Sequence, residues 1–145
     1  TSEARVLLRL GRSQAVAEVA RRALEVRRRL HDGPHAELAG SCELLGRALL
    51  AQRRFGSAEP FLSEAVSQYD EIGEPLDQAR ARTLLGECLL GLERFAAAEP
   101  PILRAAAYFD SATGEHAEWR ERSREAVASL HDALGAAPGT GGAGR

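Results

Sequence analysis

The amino-acid sequence predicts an all-α protein built from stacked helical hairpins. Three observations support this prediction. A segment of forty residues occurs twice, apolar residues in each copy recur at the spacing of one helix face, and Gly and Pro stand where helices should begin or end. A repeat of this period is typical of proteins that stack one small unit on the next.

The repeat appears when the sequence is aligned with itself at an offset of forty residues. The first copy contains Leu44-Leu45-Gly46, Arg54-Phe55 and Ala58-Glu59-Pro60, and the second contains Leu84-Leu85-Gly86, Arg94-Phe95 and Ala98-Glu99-Pro100. The match continues to Asp70 and Asp110. Chance does not keep Gly, Phe and Pro in step over this length.

Each copy predicts two helices. In the first copy, one helix follows Asp32-Gly33-Pro34, where Asp can cap the helix and Pro suits its first turn, and it ends near Ala51. A second helix runs from about Ser57 to Ile72, with Pro60 in its first turn and Gly73 as its stop.

Small residues predict a close crossing of the two helices. Gly46 and Gly86 lie in the middle of helices, where Gly costs about 1 kcal/mol relative to Ala. We expect the partner helix to approach closely at these points, with Ala58 and Ala98 as the facing small residues. Phe55 and its counterpart in the second copy would fill the gap at the turn.

These residues resemble the tetratricopeptide repeat family, whose signature pairs Leu-Gly on one helix with Ala and a large residue on the next. The matching residues are Leu45-Gly46 with Ala58 and Leu62, and Leu85-Gly86 with Ala98 and Ile102. Cys42 and Arg82 replace the signature Trp, and Leu49 and Leu89 replace its Tyr. The period is similar to the longer-helix variant, of 40–42 residues, found in kinesin light chains and bacterial multidomain regulators. The resemblance implies a right-handed superhelix of αα-hairpins.

The predicted organisation has five parts. Residues 1–31 form a partial N-terminal repeat, in which 13–31 match a second helix at an offset of 42 and 4–11 are a fragment of a first helix. Two repeats follow at 32–73 and 74–113. A capping helix over about 116–134 fills the segment 114–135, with a charged outward side (Glu118, Arg122 and Glu125), and the Gly-rich tail 136–145 is a linker or disordered.

The resemblance also implies a concave groove lined by the first helices of successive hairpins. Transferred by position, the groove residues are Glu43, Arg47, Leu50, Arg80, Thr83, Glu87, Leu90, Glu121, Arg124 and His131. Such a mixed-charge groove would suit an amphipathic helix or a peptide with both charges. The alternative is that these charges pair between neighbouring helices and contribute little to binding.

The composition indicates the cellular compartment and argues against some classes of partner. The net charge of −2 argues against a globally basic nucleic-acid binder, although residues 1–30 hold eight Arg and three Glu. No apolar run approaches the ~20 residues of a membrane helix, and no secretory signal pattern is present. Cys42 and Cys88 are too few for a disulfide scaffold, which favours a reducing cytoplasm.

Other candidate sites have simpler explanations. The Arg cluster at 21, 22 and 27–29 is interrupted by Glu18 and Glu25, which favours a solvated helix face over a phosphate-binding stripe. His31, Asp32 and His35 offer too few ligands for a closed zinc site. No nucleophile, base and orienting acid form a recognisable set, so we expect neither an enzyme nor a bound cofactor.

Two functions remain open. The favoured one is a protein-binding scaffold that belongs to a larger bacterial regulatory protein and holds a peptide or partner domain in its groove. The alternative is a structural segment that self-associates, because the incomplete N-terminal hairpin exposes Val6, Leu7 and Leu10 and would form a homodimer.

Overall fold

A computed structural model describes the backbone of residues 2–30, 32–112 and 114–136, and the side chains of residues 9–135 within those ranges. The described ranges contain six α-helices and no strand. In chain order the helices are α1 (Ser2–Leu30), α2 (Ala36–Ala51), α3 (Phe55–Ile72), α4 (Pro75–Gly91), α5 (Phe95–Ser111) and α6 (Ala117–Ala136). The all-α prediction is confirmed.

Each helix packs against the next one in the chain, and α4 also contacts both α2 and α6. The hairpins are α2 with α3 and α4 with α5. Since α4 contacts both α2 and α6, these three helices lie next to one another. We call the surface that they form the α2–α4–α6 face.

The two hairpins repeat each other in the detail of their turns. Arg53 and Glu93, forty residues apart, both adopt a left-handed conformation with φ of 59°. In the first turn the N–H of Arg54 donates to the carbonyl of Leu49 at 2.9 Å, and the equivalent bond in the second turn has the same length. The forty-residue sequence repeat is therefore also a repeat of backbone structure.

The predicted C-terminal ends of α2 and α3 are confirmed, whereas the start of α2 differs, because Pro34 lies before the helix and not in its first turn. α2 begins at Ala36, and the Nδ1 atom of His35 accepts a hydrogen bond from the N–H of Glu37 at 3.2 Å, so His35 caps the helix and Asp32 does not. α3 ends before Gly73, whose φ of 84° is the left-handed conformation that Gly adopts without steric cost.

The predicted position of Pro60 in the first turn of α3 is wrong. The helix begins at Phe55, so Pro60 lies in its second turn, where a residue normally donates to the carbonyl four positions earlier. That carbonyl belongs to Gly56, which is exposed. Water can reach it, so the missing donor is tolerated.

The close crossing predicted at the mid-helix glycines is confirmed, but the facing residues are larger than expected. A Cβ atom added to Gly46 would lie 2.5 Å from Cγ of Leu62, and one added to Gly86 would collide with Ile102. Leu62 is fully buried. The space left by each glycine therefore holds a large side chain of the partner helix, not Ala58 or its counterpart.

Phe55 joins the two hairpins instead of filling the gap inside its own. A Cβ atom added to Gly91 on α4 would lie 2.5 Å from the Phe55 ring. The thiol of Cys88, also on α4, lies 3.1 Å from the carbonyl of Phe55. The α2–α3 turn is thus fixed against the second hairpin.

The expected break between residues 4–11 and 13–31 does not occur, because α1 is one continuous helix from residue 2 to residue 30. Gly11 alone costs a helix only about 1 kcal/mol, and no Pro stands near it. Ala17, Ala20 and Leu24 are buried and belong to the core cluster that α2 shares. His31 and the side chains of Val6 and Leu7 lie outside the described residues.

α6 matches its predicted bounds closely and packs onto the end of α5. The Trp119 ring stacks on that of Phe109, with centroids 6.3 Å apart and an interplanar angle of 16°. Arg120 donates to the carbonyl of Phe109 at 2.9 Å, which places a cation at the C-terminal end of α5. The predicted tail lies outside the described residues from residue 137 onwards.

Candidate binding face on α2, α4 and α6

An ion pair connects α2 to α4 on the α2–α4–α6 face. Arg80 donates to both carboxylate oxygens of Glu43, at 2.5 and 3.0 Å, and to Asp77 at 2.9 Å. Glu43 is buried, with 8% of its surface exposed. Its hydrogen bond raises the pKa of the Arg80 guanidinium above the usual range. Both residues were predicted to bind a partner, and here each satisfies the other.

A second ion pair connects α4 to α6. Arg122 donates to both oxygens of Glu87, at 2.7 and 2.8 Å. The sequence placed Arg122 on the solvated outer side of the last helix, and that prediction is wrong, because its side chain turns toward α4 and is only partly exposed. The pairing of charges between neighbouring helices, which the sequence left as an alternative, is present at both positions.

Trp119 links α6 to α2, although 72 residues separate it from Arg47. The guanidinium carbon of Arg47 lies 5.3 Å from the Trp119 ring centroid, and that of Arg122 lies 5.2 Å from it. Arg47 also lies 4.0 Å from a carboxylate oxygen of Glu118 and remains 44% exposed. An aromatic ring with two cations within cation–π distance therefore forms the middle of the face.

A cleft of about 310 Å³ opens beside this ring. Its apolar lining comes from the end of α2 and the start of α3, and its polar lining includes three Arg. The lining residues are Arg47, Leu50, Ala51, Arg53, Phe55, Glu87 and Arg122. Arg53 lies over the Phe55 ring, 5.6 Å from its centroid. A ligand here would meet apolar surface and exposed positive charge together.

The other predicted groove residues are divided among three environments. Thr83 is buried and its hydroxyl donates to the carbonyl of Ala79, so it is a core residue. Leu50 and Leu90 are half-buried, and Glu121 and His131 are exposed. Arg124 is exposed and donates to Asp110 on α5 at 3.0 Å. The structure brings Arg47, Leu50 and Glu87 to one cleft and does not bring Arg124 or His131 to it.

Sequence reasoning missed Trp119 and Arg53 as members of this face. Trp119 is the single Trp of the chain, which was a usable signal, because Trp and Arg are enriched among the residues that contribute most to binding. Arg53 was hidden in a turn whose left-handed backbone only the structure shows.

The cysteines are core residues. Cys42 and Cys88 are both fully buried. Burial and a hydrogen bond to Glu64 raise the pKa of the Cys42 thiol to about 12, and burial raises the pKa of the Cys88 thiol to about 11. Thiols in this state are poor nucleophiles at neutral pH.

Other sequence candidates acquire structural roles or stay at the surface. His35 caps α2. Arg27 bonds to Ser41 and Arg28 forms a two-pronged ion pair with Glu64 at 2.9 and 3.1 Å, whereas Arg21, Arg22 and Arg29 are exposed. Among the described residues no group of three His, Cys, Asp or Glu side chains is placed to hold a metal ion.

Comparisons with protein-family models, with curated proteins and with solved structures found no match to this chain. Of the helices in the described ranges, none is long and apolar enough to span a membrane.

Proposed function

We propose that this chain is a protein–protein interaction scaffold of tetratricopeptide type, part of a larger bacterial regulatory protein of the cytoplasm. In this proposal the hairpins continue as a right-handed superhelix, and the α2–α4–α6 face is its concave groove. The observation that carries the proposal is the cleft beside Trp119, where exposed Arg47 and Arg53 lie next to apolar Leu50 and Phe55.

The ligand that fits this cleft is a peptide or helix with apolar and acidic side chains together. The apolar floor would cover the ligand's hydrophobic residues, and the two exposed Arg would pair with its carboxylates. Further along the face, Glu118, Glu121 and Glu125 line a neighbouring depression with Glu87 and Arg122. A ligand that extends into it would need a basic residue at that end, so the preferred peptide carries both charges.

The ion pairs refine the choice of variants for a test. Arg80 is unsuitable for mutation, because its loss would leave Glu43 buried without a partner. Arg47 and Arg53 are exposed, and changing them should leave the core intact. Arg21 and Arg104 are exposed Arg residues outside the cleft and provide a control with the same change in net charge.

The experiment selects peptides from a random display library on the unmodified chain and then measures their affinity for each variant. Peptides that bind the groove should lose at least about tenfold in affinity for Arg47→Glu/Arg53→Glu, since two charge pairs become repulsive. Arg21→Glu/Arg104→Glu should bind as the parent does. Circular dichroism must first show both variants folded. If the selected peptides bind both variants equally, the cleft is not the binding site.

A further inference from the structure

α1 exposes a row of apolar side chains that no part of the described chain covers. Val16, Val19, Val26 and Leu30 are 39%, 66%, 54% and 71% exposed. With half-buried Ala23 between them they are spaced alternately by three and four residues, so they lie along one face of the helix. We call this row the α1 stripe. It lies beside the residues that α1 buries against α2, not among them.

The internal repeat shows what such a face does elsewhere in the chain. At the offset of 42 residues that aligns α1 with α3, Leu30 corresponds to Ile72 and Val26 corresponds to Gln68. This is the side by which α3 meets its hairpin partner: the Gln68 side chain lies 3.5 Å from the backbone nitrogen of His35, at the start of α2. The α1 stripe is therefore a helix-packing surface. Within the described residues α1 packs against α2, and apart from that packing the side chain of Arg28 reaches Glu64 on α3.

Four charged residues follow the α1 stripe along its outer edge and alternate in sign. They are Glu18, Arg22, Glu25 and Arg29, spaced by four, three and four residues, and all are exposed. None of them makes an ion pair or side-chain hydrogen bond with the described part of the chain. These four charges are therefore available to pair with a second molecule.

This pattern is complementary to itself when two copies of α1 run antiparallel. Reversing the order of −, +, −, + gives +, −, +, −, so Glu18 faces Arg29 of the second copy and Arg22 faces Glu25 of the second copy, and the reverse pairs follow by symmetry. In a parallel pair the charged edges of the two copies would lie on opposite sides of the interface, so these charges could not pair. A twofold interface requires this kind of self-complementarity.

The same register provides a site for the most exposed side chain of the stripe. Facing residue numbers add up to 47, so Leu30 of the second copy lies opposite residue 17 and next to Val16. A cleft of about 280 Å³ between α1 and α2 lies there, lined by Val16, Leu44 and Ala48 among others. Leu44 is itself 46% exposed. Leu30 of each copy would enter the cleft of the other copy. This contact would bury Leu30, Val16 and Leu44 at both ends of the helix pair.

We infer that a second copy of this chain covers the α1 stripe, in an antiparallel pair of α1 helices related by a twofold axis between residues 23 and 24. The interface consists of the stripe, the four alternating charges and the Leu30 insertion. It differs from the residues first expected to dimerise. The cleft that receives Leu30 shares Arg47 and Ala51 with the proposed peptide cleft, but the α1 stripe and the four charges lie outside that cleft.

Sedimentation equilibrium of the full chain from low to high micromolar concentration tests this inference. The parent should form a dimer, and Val19→Glu should raise the dimer dissociation constant at least about 100-fold, because it buries an unpaired charge in each half of the interface. Leu103→Glu is the matched control: Leu103 is 42% exposed on α5, and its variant should dimerise like the parent. A parent that stays monomeric, or equal dimerisation of both variants, overturns the inference.

Charge reversal tests the antiparallel register with variants that leave the apolar surface intact. Glu18→Arg should weaken the dimer about tenfold, since two attractive pairs become repulsive, and Glu18→Arg/Arg29→Glu should restore the parent affinity. Arg21→Glu, an exposed reversal away from the stripe, should have little effect. If the double variant is no tighter than Glu18→Arg, the proposed pairing is wrong. This result remains decisive even if Val19→Glu fails to fold.

Discussion

Replacing Gly46 by Ala should destabilise the protein, although the same change usually strengthens a helix. The added Cβ atom would lie 2.5 Å from Cγ of Leu62, and carbon atoms in contact normally stand about 3.5–4.0 Å apart. Leu62 is fully buried and close to the helix crossing, so it cannot turn into solvent. The two helices must therefore separate by roughly 1 Å or Leu62 must leave its preferred rotamer.

The magnitude follows from two opposing effects. Overpacking a core costs about 1–3 kcal/mol, and Ala in place of Gly within a helix returns about 1 kcal/mol. We expect Gly46→Ala to lose about 1 kcal/mol and Gly46→Leu to lose at least about 3 kcal/mol. Gly86→Ala should behave like Gly46→Ala, because its Cβ atom would meet Ile102 in the same way.

Gly56→Ala is the control. Gly56 lies in the first turn of α3, is exposed and has no atom within 4 Å of its added Cβ, so this variant should be neutral or slightly stabilised. Urea unfolding followed by circular dichroism gives the free energy of unfolding of each variant. If Gly46→Ala and Gly56→Ala unfold at the same urea concentration, Gly46 is not at a close crossing.

A double variant identifies the atom responsible. Leu62→Ala alone should cost about 2–5 kcal/mol through the cavity that it leaves. Gly46→Ala/Leu62→Ala should cost less than the sum of the two single changes, because the added methyl group then enters the cavity. Strict additivity would show that the Cβ atom collides with some other group.

Three further predictions concern the turns, a core thiol and the buried ion pair. Arg53→Gly and Glu93→Gly should each raise the free energy of unfolding in urea by about 0.5–1 kcal/mol, because both positions have a φ of 59° that costs other residues about 1–2 kcal/mol; a loss of stability would contradict this geometry. The Cys42 thiol, with its pKa raised to about 12, stays protonated in the folded chain while an unfolded thiol ionises near pH 9. Stability should therefore fall as pH rises from about 9 to 12, by up to about 1.4 kcal/mol per pH unit from this group, and unfolding of Cys42→Ala should show a shallower pH dependence. Arg80→Ala should cost about 3 kcal/mol by leaving Glu43 unpaired, and Glu43→Leu/Arg80→Leu should recover most of that loss; a single variant as stable as the parent would mean that the pair is solvated.

The candidate face could be anticipated only in part from the sequence. Periodicity and the repeat indicated that Glu43, Arg47, Arg80 and Glu87 lie on the first helices of their hairpins. They did not indicate which charges would pair, because each Arg had several acids within the reach of a flexible side chain. The geometry shows that Glu43 is satisfied inside the protein and that Arg47 remains exposed beside an aromatic ring.

The C-terminal helix boundaries, which depend on local backbone preferences, could be predicted from the sequence alone. The helix ends at Ala51 and Ile72 and the stop at Gly73 follow from the backbone preferences of neighbouring residues. The contacts between residues far apart in the chain could not be predicted from the sequence and are seen only in the folded protein. Trp119 meets Arg47 across 72 residues, and Leu62 occupies the space above Gly46, because helix packing selects one arrangement from many that local preferences allow equally.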